Sequence, residues 1–227
     1  MRLGGLQPCS LIDFPGALCA IVFTIGCNFR CPYCHNPELV DETAGELSIE
    51  SFFAFLERRV GLLDGVTITG GEPTMHDDLP DMIARIKEMG FLVKLDTNGT
   101  HPAMLRDLIT RKLVDYVAMD VKAPLSQYEA TVARPVNTDA LRQCIDLLRE
   151  GAVAYEFRTT VVKVLLPPDA IRTIAHDIKG AERYYLQQFI PTKLLNPGFI
   201  RKTTYTKEEL EALCADVRPF VEYCAVR

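Results

Sequence analysis

Residues 19–34, CAIVFTIGCNFRCPYC, join a run of apolar residues to three closely spaced cysteines. The run at residues 19–25 is apolar apart from Thr24, which is typical of a β-strand that is buried on both faces. The cysteines that follow, Cys27, Cys31 and Cys34, have the spacing C-x3-C-x2-C. A loop with chemically active side chains therefore comes directly after a predicted buried strand.

The pattern of an apolar run followed by an amphipathic segment recurs along the chain. The other predicted strands are residues 65–69, 91–95, 113–119, 155–164 and 183–189. The predicted helices are residues 48–60, 79–89, 103–110, 138–150, 169–178 and 207–217. Six β/α units in series predict an α/β fold, a partial, open TIM-type (β/α)6 barrel, formed by one domain over residues 1–227.

Polar motifs follow the first four predicted strands. The cysteine-containing loop, residues 26–36, follows the first, and GGEPT at residues 70–74 follows the second. DTNG at residues 96–99 follows the third, and DVK at residues 120–122 follows the fourth. Because ligands bind at the carboxyl ends of the strands in such a barrel, we expect all four motifs to form one site.

Composition excludes several classes of function. Apolar residues make up 48% of the chain and charged residues 24%, which is ordinary for a globular protein. The net charge of −5 provides no basic field for nucleic acid. The longest apolar run is far shorter than the roughly 20 residues of a membrane span, and no signal peptide is evident. The sequence therefore predicts a cytoplasmic protein, in which clustered cysteines are better interpreted as metal ligands than as disulfides.

Two kinds of metal site were compared for the cysteine loop. Structural zinc sites have four ligands, usually in two separated pairs, and His35 is poorly placed as a fourth because it adjoins Cys34. A 4Fe-4S cluster fits better, because one compact loop can supply a thiolate to each of three irons and leave the fourth open for substrate. Cys9, Cys19, Cys144, Cys214 and Cys224 lack ligand-like spacing and are not assigned.

The cysteine spacing, with an aromatic residue just before the last cysteine and GGEP after the next strand, resembles the radical S-adenosylmethionine superfamily. The resemblance extends over about residues 10–191. It implies that the open iron chelates S-adenosylmethionine. One electron from the cluster then cleaves the sulfonium to methionine and a 5'-deoxyadenosyl radical, which abstracts a hydrogen atom. Catalysis is accordingly assigned to Cys27, Cys31 and Cys34.

The residues after the strands suit such a ligand chemically. Gly70 and Gly71 permit close approach of the backbone, and Glu72 offers a negative charge to the methionyl ammonium. Tyr33 places an aromatic ring beside the cluster or in the core. Each of the remaining candidate residues could contact a polar ligand, or could instead serve only in a turn or a salt bridge. These residues are Asp96, Thr97, Asn98, Asp120, Lys122 and Arg158.

Further motifs resemble the glycyl-radical-enzyme activases. These are SLIDFPG at residues 10–16, DTNG and DVK, and residues 24–40 are most similar to the activating proteins of anaerobic ribonucleoside-triphosphate reductases. The resemblance implies a large glycyl radical enzyme as partner and a flavodoxin or ferredoxin as electron donor. The chain lacks a cysteine-rich insert between Cys34 and Gly70, which favours a single cluster.

Three alternatives remain open at this point. The first is an activase of the pyruvate formate-lyase type. The second is a radical enzyme that acts on a small molecule or a nucleobase. The third is a zinc-stabilised binding module without catalytic activity, which the loop spacing disfavours.

Overall fold

The computed structural model of the protein covers residues 1–227. One eight-stranded sheet forms its centre, with the strands in chain order. The strands are β1 (Leu3–Ser10), β2 (Cys19–Thr24), β3 (Gly65–Gly70), β4 (Leu92–Thr97), β5 (Tyr116–Asp120), β6 (Ala154–Val161), β7 (Arg183–Gln188) and β8 (Tyr223–Val226). β1 pairs antiparallel with β2, and every later pair is parallel.

The six predicted strands are present as β2 to β7, and the open barrel is confirmed. β1 and β8 do not pair with each other, so the sheet stays unclosed. The sequence analysis missed both of these edge strands. β1 contains two glycines and Pro8 and has only two buried residues, while β8 has four residues in all. Pro8 lies where the β1 register shifts, which is the irregular edge position that a strand proline requires.

Helices alternate with the strands. They are α1 (Pro37–Val40), α2 (Ile49–Glu57), α3 (Leu79–Glu88), α4 (Pro102–Thr110), α5 (Tyr128–Val132), α6 (Thr138–Arg149), α7 (Pro168–Asp177) and α8 (Lys207–Val217). The six predicted helices correspond to α2, α3, α4, α6, α7 and α8. Their ends follow local chemistry: Ser48 caps α2 through the Ser51 amide, and Thr206 forms a capping box with Glu209. No helix has the combined length and hydrophobicity needed to cross a lipid bilayer.

The main core, of 56 buried residues, includes apolar residues of both the strands and the helices. The barrel interior is different, because charged residues alternate with these core residues along β4 and β6. Glu156 is fully buried there, accepts a hydrogen bond from Tyr116 (2.8 Å) and forms a two-bond ion pair with Arg227 (2.7 and 3.0 Å). A small cluster that includes Phe14 and Tyr116 packs separately from the main core. Charged side chains that pair with each other therefore fill part of the barrel interior.

Candidate functional site

A pocket opens where β2 to β5 end. All of the sequence-predicted site residues except Arg158 line it, namely Cys27, Cys31, Tyr33, Cys34, Gly70, Gly71, Glu72, Asp96, Thr97, Asn98, Asp120 and Lys122. The lining residues that the sequence analysis did not select are Phe29, His35, Asn36, Val40, Thr69 and Thr160. The four motifs therefore share one pocket, as the rule for parallel strands predicts.

Backbone hydrogen bonds hold the cysteine loop on several sides. The amide of Gly26 donates to Leu39 in α1, and that of Arg30 donates to Val132 in α5. The segment after β7 adds two bonds, from the Leu195 amide to the Cys34 carbonyl (2.9 Å) and from the Asn196 amide to the Pro32 carbonyl (3.0 Å). The sequence analysis missed this last contact, because residues 192–196 carry no recognisable motif. Four polar contacts from three segments thus fix the loop backbone.

The three thiols of the loop are buried or half-buried. Burial raises the pKa of Cys27 to about 12 and that of Cys31 to about 11, and it also raises the pKa of Cys34. The positive charge of Lys122 opposes this effect at all three thiols. Binding of a cationic metal group would therefore displace thiol protons.

The arrangement of the thiols bears on which metal group fits. The ligands of a zinc ion converge on one point, about 2.3 Å from each sulfur. No group of three or more His, Cys, Asp or Glu side chains in the structure could hold such a single ion. A 4Fe-4S cluster instead distributes its thiolates over different irons. Three thiols from one loop that all line one pocket suit such a cluster.

Close packing between loops explains the two glycines after β3. A Cβ built on Gly71 would lie 1.8 Å from the Gly26 carbonyl oxygen, next to Cys27. The same carbonyl accepts a hydrogen bond from the Glu72 amide (2.8 Å). Gly70 has φ +120, and its Cβ would lie 2.3 Å from the Thr24 amide nitrogen. The end of β2 therefore excludes a side chain at Gly70, and the start of the cysteine loop excludes one at Gly71.

Glu72 is 1% exposed and binds the loop that follows β4. Its Oε1 accepts bonds from the Thr74 amide (3.1 Å), the Thr74 hydroxyl and the Thr97 hydroxyl (2.8 Å). Its Oε2 accepts one bond, from the Asn98 amide (2.6 Å). Burial raises the pKa of Glu72, while these hydrogen bonds oppose the rise. Because a carboxylate oxygen can accept about two hydrogen bonds, Oε2 retains acceptor capacity for a ligand.

Two asparagines extend this connection to the cysteine loop. The Asn98 amide group donates to the Asn28 side-chain oxygen (2.8 Å), and the Asn28 amide group donates to the Thr100 hydroxyl (2.9 Å). Thr100 in turn donates to the Asn98 side-chain oxygen (2.6 Å). The loops after β2, β3 and β4 are thus joined by side-chain hydrogen bonds.

A chain of alternating charges lies at the ends of β4, β5 and β6. Arg158 donates to Asp120 (2.9 Å) and to Asp96 (3.3 Å), and it is only 12% exposed. Asp96 also pairs with the buried Lys94, and Asp120 pairs with Lys122 (3.2 Å). Of the two sequence interpretations of Arg158, the structure shows the paired arginine, because both of its partners are protein carboxylates. Lys122 lines the pocket and its ammonium donates one hydrogen bond, to Asp120, so it retains donors for a ligand.

Charge pairing dominates the ionisation of Asp120. Burial acts to raise its pKa, but Arg158 and Lys122 outweigh burial and lower the pKa to about 2. The same attraction raises the pKa of Lys122 despite burial, which acts to lower it. Asp120 therefore stays ionised in the folded protein over the neutral and mildly acidic range.

We expect Asp120→Asn to lower the free energy of unfolding by about 2–3 kcal/mol at pH 7, because Arg158 and Lys122 lose a shared carboxylate. An unfolded aspartate has a pKa of about 3.9, so the folded-state contribution is complete above about pH 4 and is lost as the pH falls through about 2. Urea unfolding from pH 7 downward should show the difference from wild type shrinking below about pH 4. A variant that matches wild type at pH 7 would contradict the expectation.

Asp107→Asn is the matched control. Asp107 pairs with Arg111 on the surface of α4, where both side chains are nearly half exposed. We expect it to change stability by less than about 1 kcal/mol.

Tyr33 is 4% exposed, and its hydroxyl has no hydrogen-bond partner. A buried hydroxyl without a partner is costly, and Tyr33 lines the pocket. A bound ligand with a polar atom nearby would relieve that cost.

Comparison with known proteins agrees with this geometry. Residues 21–181 match the model of the radical SAM superfamily. A protein of Methanocaldococcus jannaschii, whose provisional name is glycyl-radical enzyme activating enzyme, is 34% identical over an alignment that covers 99% of this chain and 95% of that protein. The pyruvate formate-lyase-activating enzyme of Clostridium pasteurianum is 33% identical over 127 residues, covering 53% of this chain and 52% of that enzyme.

Solved structures share the fold. Streptococcus suis SuiB bound to S-adenosylmethionine has a TM-score of 0.69 at 14% identity, over 91% of this chain and 49% of that one. A domain of the pyruvate-formate lyase-activating enzyme from Bacteroides vulgatus has a TM-score of 0.58 at 16% identity, over 72% of this chain and 98% of that one. The family match over residues 21–181, together with the end-to-end relative, shows that this chain is a member of the radical SAM superfamily.

Proposed function

We propose that Cys27, Cys31 and Cys34 hold a 4Fe-4S cluster and that the pocket beside them binds S-adenosylmethionine. Family membership implies both groups, and the three thiols that line one pocket support the assignment. When bound, these groups supply one-electron cleavage of a sulfonium and a carbon-centred radical that abstracts hydrogen. The protein supplies binding, orientation and exclusion of side reactions.

The polar groups of the pocket suggest how the chain orients S-adenosylmethionine. Glu72 Oε2 has acceptor capacity for the methionyl ammonium, and Lys122 has donors for the methionyl carboxylate. The rest of the proposed binding surface lies after β3 and at the end of β4, and consists of Gly70, Gly71, Asp96, Thr97 and Asn98. Arg158 does not line the pocket, and it orients Asp96 and Asp120 by forming an ion pair with each of them. Tyr33 lines the pocket with its aromatic ring, and its hydroxyl is free to bond a polar atom of the ligand.

The proposed activity is that of a radical SAM activase, which generates a glycyl radical on a partner enzyme. The observation that carries it is the 34% identity over nearly the whole of this chain to an M. jannaschii protein with that provisional name. A glycine Cα-H suits such a reaction, because the flanking amide groups stabilise the radical and no side chain blocks approach. The unclosed barrel leaves a side through which a loop of a large partner can enter.

The partner we favour is the anaerobic ribonucleoside-triphosphate reductase. Residues 24–40 resemble the activating proteins of these reductases. The stretch between Cys34 and Gly70 contains α1, α2, the start of β3 and their connections, with no cysteine. Pyruvate formate-lyase is the second candidate, because the C. pasteurianum activase is 33% identical over half of this chain. A small-molecule substrate is the third.

A flavodoxin or ferredoxin is the proposed electron donor. Residues 189–207, which contact the cysteine loop, contain four basic residues, Lys193, Arg201, Lys202 and Lys207, and no acidic ones. Lys193 and Lys207 pair with Glu38 and Glu211, so Arg201 and Lys202 supply the positive charge that suits an acidic redox protein. The cytoplasmic location predicted from the sequence accords with these partners and remains a prediction.

Electron paramagnetic resonance tests the proposed function. Reconstituted protein with dithionite alone should cleave S-adenosylmethionine slowly, because no hydrogen donor completes the site. Addition of the anaerobic ribonucleotide reductase from the same organism should give a glycyl-radical doublet, with 5'-deoxyadenosine formed alongside it. A reductase with its radical glycine replaced by alanine is the matched control and should give no doublet.

Other outcomes select among the alternatives. A doublet on pyruvate formate-lyase instead would transfer the assignment to that enzyme. If neither protein gives a doublet, and a small metabolite accelerates 5'-deoxyadenosine formation and is itself altered, the activase proposal is wrong.

A further inference from the structure

Two cysteines far from the candidate site lie in contact. Cys214 of α8 and Cys224 of β8 are each 3% exposed, and their sulfur atoms are 3.0 Å apart. The other three cysteines outside the loop show no such pairing: Cys9 is exposed, Cys19 contacts Thr67, and Cys144 is buried. The spacing of Cys214 and Cys224 does not predict this contact, because the last residues of α8 and a turn lie between them.

The distance places the pair close to the geometry of a covalent bond. A disulfide has a sulfur–sulfur length of about 2.05 Å, so movement of about 1 Å would close it. Cys224 donates a hydrogen bond to Cys214, and this bond, with the charge of Arg218, lowers the pKa of Cys214 despite burial. The same contact raises the pKa of Cys224. Cys214 is therefore the better nucleophile of the two.

Both cysteines line a surface groove. Its walls include Cys214 and Cys224 together with Lys207, Arg218 and Tyr223. Glu211 also lines the groove and pairs with Lys207 (3.8 Å), so Arg218 is the cation that suits an anionic thiol compound such as glutathione disulfide. The groove lies at α8 and β8, whereas the candidate site is formed by the ends of β2 to β5.

We propose that Cys214 and Cys224 form a redox-active dithiol, which disulfide compounds oxidise to an intramolecular disulfide. The Cys214 thiolate attacks one sulfur of the external disulfide and releases the first thiol. The Cys224 thiolate then attacks the Cys214 sulfur of the mixed disulfide and releases the second thiol. Two electrons pass to the external disulfide, and the two protons of the pair end on the two released thiols.

Peptide mapping tests the proposal on the folded holoprotein. Arg218 precedes Pro219, so trypsin leaves residues 208–227 as one peptide, with Cys214 and Cys224 as its two cysteines. After anaerobic incubation with oxidised glutathione and alkylation in denaturant, this peptide should resist alkylation and weigh two hydrogens less than its reduced form. Dithiothreitol should restore both alkylation sites. A peptide that stays fully alkylated at every glutathione ratio would overturn the proposal.

Single variants separate the two steps. Cys224→Ser should trap glutathione on Cys214, because the resolving thiol is gone, and Cys214→Ser should acquire much less. Cys9→Ser is the matched control and should still form the internal disulfide. If both single variants acquire glutathione equally and wild type forms no internal disulfide, the two cysteines act as independent thiols and the proposal is wrong. The wild-type measurement stands even if a variant folds poorly.

Discussion

Replacing Cys27, Cys31 or Cys34 with alanine is expected to abolish cleavage of S-adenosylmethionine. Reconstituted wild-type protein should hold about four irons per chain, and in the proposed cluster each thiolate would hold a different iron, so that no single thiol would be dispensable. The loop backbone is fixed by hydrogen bonds from α1, α5 and residues 195–196, none of which involves a thiol. The variants should therefore fold like wild type, and iron content and 5'-deoxyadenosine release report the loss directly.

The matched control replaces thiols outside the loop. Cys9, Cys19, Cys144, Cys214 and Cys224 changed together should leave the iron content near the wild-type value. Loss of half or more of the iron would reveal a second cluster. Cleavage that survives in any one of the three loop variants would refute the three-thiolate assignment.

Gly71→Ala is expected to remove iron and S-adenosylmethionine binding together. The added methyl group would meet the Gly26 carbonyl oxygen at 1.8 Å, which forces the start of the cysteine loop away from β3. Overpacking commonly costs about 1–3 kcal/mol, and here the neighbour that must move is backbone. Iron content after reconstitution and calorimetric titration with S-adenosylmethionine measure the two effects separately. Gly71→Val should behave the same way with a larger loss.

Gly45→Ala is the matched control for this change. No atom lies within 4 Å of its built Cβ, and its φ needs no glycine. The sequence alone predicts a different result for Gly71, in which ligand affinity falls and the cluster stays. Normal iron with lost affinity would support that simpler interpretation, and unchanged iron with unchanged affinity would show that the loop adjusts freely.

The sequence predicted β2 to β7 because each is a continuous apolar run bounded by helical segments. β1 and β8 lacked that signal, since edge strands bury fewer side chains and gain their order from a neighbour. The sequence analysis also treated the inner strands as apolar on both faces. Lys94 and Glu156 are buried in the barrel and Arg158 is only 12% exposed, because opposite charges compensate all three. Asp96 lies two residues from Lys94 on β4, but the partners of Glu156 and Arg158 lie far away in the sequence, where no local pattern indicates them.

The site was predictable to the extent that topology alone determines it. Strand ends meet at one edge of a parallel sheet, so the four motifs had to converge. The partners of Glu72 and Arg158 were not predictable, because they depend on rotamers and on registers between strands. The contact of residues 195–196 with the cysteine loop was not predictable for another reason, because it uses main-chain groups, which every residue has whatever its side chain.

The connection from Glu72 through Asn98 to Asn28 has a consequence for how such a protein can diversify. Three loops that share hydrogen bonds cannot drift independently in sequence, because a change in one leaves buried donors or acceptors in the others unpaired. A protein engineer who wishes to redirect this scaffold toward a new substrate should therefore change the loops after β2, β3 and β4 together and not one at a time.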